Sequence, residues 1–85
     1  MESIVVAFRS RAHTIKFSGF LLNNGINNRI VNTPKEAGVG CGLSVEIPKT
    51  ALVSVKQAIQ YVKLPSFAGI FLVKTVQGKR IVKSI

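Results

Sequence analysis

Chemistry-bearing side chains are scarce in this chain. It has one cysteine, one histidine and three acids in 85 residues. The single cysteine, Cys41, cannot close a disulfide within the chain, which excludes a small secreted disulfide scaffold and favours a reducing cytosol. Three carboxylates, of which only Glu36 and Glu46 lie near Cys41, are too few for glycosidase-type acid–base work or an oxygen-ligated metal site. One cysteine and His13 fall short of the four ligands of a structural zinc, so no metal and no cofactor are implied. Long apolar runs are missing too. Residues 4–8, Ile-Val-Val-Ala-Phe, are too short for the core of a signal peptide and follow Glu2 rather than basic residues. Nothing approaches the roughly 18 apolar residues of a membrane span, so no membrane association is expected.

What the chain does have is aliphatic residues and positive charge. Its 85 residues suit one domain, 1–85, which buries only about 60% of its unfolded surface. That makes a homodimer a reasonable expectation. Twelve Lys and Arg against three acids give a formal charge of +9. Such an excess points to tRNA or another polyanion, or to an acidic protein, unless it serves solubility alone.

Patterning gives an order of elements. Residues 3–9 are continuous and β-branched, as in a buried strand. Ser10 is positioned to cap a helix that ends at Gly25, with Ala12, Ile15, Gly19 and Leu22 facing inward and Phe20 and Leu21 widening that face. Residues 26–33 read as a second strand, ended by Pro34 and a glycine-rich loop. Residues 42–47 alternate as a half-buried strand. Pro48 then opens a helix with an Ala51, Val55, Ala58, Ile59, Val62 stripe. Residues 64–67 break it, 68–76 form a fourth strand, and 80–85 a short fifth or a frayed end. The fold expected is α+β: a ferredoxin-like β-α-β-β-α-β sandwich, strand order 4-1-3-2, with both helices on one face.

That order gives Cys41 a setting. Strands 1 and 3 become antiparallel neighbours, so Phe8 and Arg9 lie beside Cys41 to Leu43, at the edge where the first helix starts. Free cysteines are usually inert buried hydrophobes. Here Gly38, Gly40 and Gly42 pack nothing around the thiol, and their backbone can approach a ligand or cradle an anion. A helix start favours anions, and Arg9, Arg11 and His13 share its edge, so the setting favours the nucleophilic thiolate. Ser10, Arg9, Arg11, Gly40 and Gly42 are candidate binding residues. His13 is the candidate proton relay, against the commoner reading of a solvated histidine.

Residues 33–45, Thr-Pro-Lys-Glu-Ala-Gly-Val-Gly-Cys-Gly-Leu-Ser-Val, resemble a bacterial family called Putative Se/S carrier protein-like. Its members share a strand ending in Phe (Phe8), a Ser at the helix start (Ser10), a Thr-Pro-Arg/Lys-Glu segment (33–36), and Cys-Gly before a small apolar strand (41–43). The likeness runs from about residue 3 to about 74 and adds Thr33 and Pro34 to the candidate site. Members often carry serines where Gly38, Val39 and Gly40 stand here. The resemblance implies a carrier rather than a stand-alone catalyst: Cys41 holds sulfur or selenium as a persulfide or selenosulfide and passes it from a donor protein to an acceptor. A lone thiol suits that work, because a second cysteine would resolve the persulfide into a disulfide. Two rivals share the fold. An RNA-recognition module fits the charge, but it stacks bases on aromatics of its first and third strands, and residues 42–47 have none. A small regulatory or assembly module would use 38–42 as a ligand loop, with nothing to select the ligand.

Overall fold

The computed structural model describes residues 2–39 and 41–85. It contains β1 (Glu2–Phe8), α1 (Arg11–Asn23), β2 (Arg29–Asn32), β3 (Leu43–Ile47), α2 (Leu52–Val62), β4 (Phe67–Val76) and β5 (Lys79–Ser84), with 3-10 turns at Lys35–Ala37 and Lys49–Ala51. The five strands form one antiparallel sheet in the order β2-β3-β1-β4-β5. The expected arrangement of the first four strands is therefore present. The fifth strand is also real: Gln77 and Gly78, both at positive φ, turn the chain back so that Val76 pairs with Lys79.

Alternation along β1 separates two apolar layers. Ile4, Val6 and Phe8 face the helices and pack with Val45, Ile47, Ile70, Phe17, Leu21, Val55 and Ala58. Phe8 is the hinge of this layer, with Phe17 at 5.2 Å and Phe67 at 5.9 Å between ring centroids. Both helices thus lie on one face. Val5, Ala7 and Phe71 face the other way, under Val31, Ala37, Val39, Val73 and Val82. Ala37 and Val39 belong to the β2–β3 loop, so the loop that leads to Cys41 folds over the face opposite the helices. An RNA-recognition module would need that face open.

The second helix follows its pattern: Val55 and Ala58 are buried, Ala51, Ile59 and Val62 half-buried, and Lys49, Lys56 and Gln57 exposed. It begins at Leu52, four residues after the expected proline, because a three-residue 3-10 turn intervenes, and Lys63 in the left-handed region ends it. α1 departs from expectation. Ser10 does cap it, accepting from the His13 amide at 3.3 Å. The buried face, however, is Thr14, Phe17, Ser18 and Leu21, while Ile15 and Leu22 are each 53% exposed. The helix is turned by about one residue, roughly 100°, from the expected stripe. Apolar residues surround this helix, so periodicity alone did not choose a face. The observed face seats the Phe17 ring 5.2 Å from that of Phe8, an aromatic pair that none of Ala12, Ile15, Gly19 and Leu22 can make. The two polar residues this brings inside are satisfied: Ser18 Oγ meets Asn28 Oδ1 at 2.5 Å, and Thr14 Oγ1 donates to the Ser10 carbonyl at 3.2 Å. β2 is shorter than expected, Arg29–Asn32, because Asn28 turns back to donate to the carbonyls of Ser18 and Ile26.

A candidate carrier thiol at the edge of the sheet

Four chain segments meet at the end of the sheet where β1 finishes. β1 delivers Phe8 and Arg9. α1 starts there at Ser10, β3 starts at Leu43, and the α2–β4 connection passes at Ser66. Antiparallel pairing places them together, since Ala7 is opposite both Ser44 and Gly69. Two bonds from Ser66 lock the corner: its carbonyl accepts from the Arg9 amide at 2.8 Å, and its hydroxyl meets His13 Nδ1 at 2.6 Å.

Cys41 sits on the rim of this corner, exposed to solvent. Its amide donates to the Phe8 carbonyl at 3.2 Å, extending the β1–β3 ladder. Its sulfur lies 3.8 Å from Thr14 Oγ1 and 3.7 Å from the Leu43 carbonyl. These contacts are long even for sulfur, so they orient the thiol without enclosing it. Thr14 belongs to the first turn of α1, the end of a helix that favours negative charge. The expected juxtaposition of Cys41 with the helix start is therefore present.

The side chain that meets the sulfur is Thr14, one residue beyond His13. Thr14 is fully buried, and its hydroxyl also reaches the carbonyls of Ser10, at 3.2 Å, and Leu43, at 3.5 Å. It ties the helix start, the β3 start and the thiol together. His13 instead turns its ring to Ser66, and no hydrogen bond joins it to the sulfur. Thr14 was missed because a threonine in a helix reads as an indifferent position. The available signal was its spacing, four residues after the cap Ser10 and hence above it on the same face. Ser66 was missed because it falls in a segment read only as a helix breaker.

The remaining candidate residues divide between loop building and surface. Thr33 closes the base of the cysteine loop, with its amide on the Gly42 carbonyl at 2.9 Å and its hydroxyl 2.7 Å from Ser44 Oγ. Pro34 is buried and opens the 3-10 turn, whose Ala37 amide returns to its carbonyl at 3.1 Å. Gly38 and Gly42 adopt positive φ, 67° and 94°, which a side chain at either position would strain. Gly40 lies outside the described residues. Arg9 and Arg11 are exposed and make no ion pair among the described residues.

The comparison with known families decides what this corner belongs to. Residues 3–67 match the family model described as Putative Se/S carrier protein-like. The chain belongs to that family. The match spans β1 to the first residue of β4 and contains the whole cysteine corner; it stops short of the end expected near residue 74, so most of the β4–β5 hairpin lies beyond it. No match was found among the curated proteins or the solved structures. A groove of about 570 Å³ between the helices, lined by Phe20, Asn24, Ile26 and Tyr61, is built from the opposite end of α1 and does not include Cys41.

Proposed function

We propose that this protein is a sulfur or selenium carrier whose Cys41 accepts the atom from a donor protein and hands it to an acceptor. The observation that supports this reading most is a lone, exposed thiol set against the first turn of a helix, inside a segment that matches the carrier-like family. The β-α-β-β-α-β order and the 4-1-3-2 strands agree with a ferredoxin-like sandwich, which β5 extends. In that frame the cysteine stands exposed at the end of the two central strands, where another protein's thiol can reach it.

The transfer is an exchange without net redox change. The Cys41 thiolate attacks the outer sulfur of a donor persulfide, a new sulfur–sulfur bond forms on Cys41, and the donor's own bond breaks to release its thiolate. The acceptor's thiolate repeats the attack on the outer atom and returns Cys41 to the thiolate. Selenium follows the same course as a selenosulfide. Cys41 is the chain's only cysteine, so the loaded form does not collapse into an internal disulfide. Thr14 Oγ1 orients the sulfur. His13 acts as a proton relay only if its ring leaves Ser66.

The test is loading by a cysteine desulfurase and cysteine. Cys41→Ser is expected to abolish loading while leaving the circular dichroism spectrum and the unfolding midpoint unchanged, since the residue is exposed. Equal loading of Cys41→Ser and the native chain would end the proposal.

A further inference from the structure

Among the described residues, the loop that ends in Cys41 has few bonds of its own. From Thr33 to Gly42 it is closed at its base, and within it the Ala37 and Gly38 amides return to Pro34 and Lys35. Its seat therefore depends on contacts from outside. Some come from β1 and α1, through the Phe8 carbonyl, Val5, Ala7 and Thr14; the rest come from the hairpin made by β4 and β5. Arg80 meets Glu36 as a two-pronged pair, Nη2 to Oε1 at 2.8 Å and Nε to Oε2 at 3.1 Å. Beneath that pair, Val73 and Val82 lie in the same apolar layer as Ala37 and Val39. Val39 is two residues from Cys41. The tight turn at Gln77 and Gly78 is what brings Arg80 back across from Thr75 and over the loop.

We infer that Arg80 is a positioning residue for Cys41: through Glu36 it clamps the cysteine loop onto the sheet, from a strand, β5, that lies outside the family-matched segment. The consequence for sulfur transfer rests on the carrier reading; the clamp itself does not. Planar guanidinium–carboxylate geometry fixes direction as well as distance, which a lysine would not do. Exposed pairs are modest in strength, so the clamp biases the loop rather than locking it.

Amide hydrogen exchange at Ala37, Gly38 and Cys41, followed by NMR, reads the loop directly. Arg80→Gln and Glu36→Gln are each expected to speed exchange at these amides by about two- to five-fold. The double variant is expected to do no more than either alone, and the swapped pair Glu36→Arg with Arg80→Glu to restore the native rates. About 1 M salt should mimic Arg80→Gln in the native chain and leave the variant unchanged. Lys83→Gln, on the same strand but facing the other side of the sheet, should leave the loop's exchange as it is. Unchanged loop exchange in both single variants, or additive effects in the double, would overturn the clamp. Faster exchange in a chain that never loads sulfur would leave the clamp standing and remove the carrier role. Normal loading with unchanged exchange would do the reverse.

Discussion

At the scale of single residues, the site turns on one hydroxyl. Thr14 Oγ1 has one proton and three partners within reach: two carbonyls and the Cys41 sulfur. Against a thiol it can donate to a carbonyl and accept from sulfur. Against a thiolate it must turn its proton to the sulfur, while Leu43 contributes only lone pairs. Thr14→Val keeps the shape and removes the proton. At a contact of 3.8 Å the loss is small, and we expect alkylation of Cys41 at neutral pH to slow about three-fold, at the low end of a hydrogen bond's worth. Thr14→Ser should retain the native rate. Equal rates for valine and native chains would leave Thr14 a packing residue only. The exposure of Cys41 was legible in the sequence, because glycines that permit positive φ and leave a thiol uncovered are readable from composition. The partner was not, since contact across from a helix to a loop is set by the rotation of that helix.

At the scale of elements, that rotation is the main lesson. Strand order, the Ser10 cap, the stop at Gly25 and the second helix's stripe could all be read, because each rests on a local rule of capping, turn chemistry or clear period. The buried face of α1 could not. Its sequence carries apolar side chains on nearly every side, and the choice was made by Phe8, a residue in another element, which selects Phe17 as its neighbour at 5.2 Å. The assignment has a sharp test. Phe17→Ala should destabilise the fold by about 3–5 kcal/mol, a large part of what a small domain has. Ile15→Gln, on the face first expected to be buried, should change stability by no more than about 0.5 kcal/mol. Denaturant midpoints of the two variants decide it; the opposite ranking would restore the original face. The loop over the far side of the sheet was likewise hidden, since its anchor Arg80 lies 44 positions from Glu36.

At the scale of the molecule, charge is the dominant feature, and its few negative members are all engaged. Glu2 pairs with Lys49 and Lys74, Glu46 with Arg29, and Glu36 with Arg80. Residues 47–85 hold seven cations and no acid. Hydrogen bonding from Lys49 holds the Glu2 carboxyl below its ordinary value of 4.5, and hydrogen bonding from Arg80 does the same for Glu36. Carboxyls depressed in the folded state add stability that is complete above that ordinary value and is lost as pH falls through their lower native values. Unfolding midpoints are therefore expected to hold from about pH 7 to 5 and to drop toward about pH 3, less steeply in Arg80→Gln. A flat profile to about pH 3 would show these exposed pairs to be inert. The same imbalance speeds encounter with polyanions of any kind and slows it with other basic surfaces.

A carrier role requires that Cys41 take up a chalcogen atom. Intact-mass measurement of the native chain after incubation with a cysteine desulfurase and cysteine reads this directly. The expected result is a gain of one sulfur atom, located on Cys41, reversed by a thiol reductant and absent from Cys41→Ser. An unchanged mass for the native chain, with the desulfurase active on its own substrate in the same tube, would contradict the central claim.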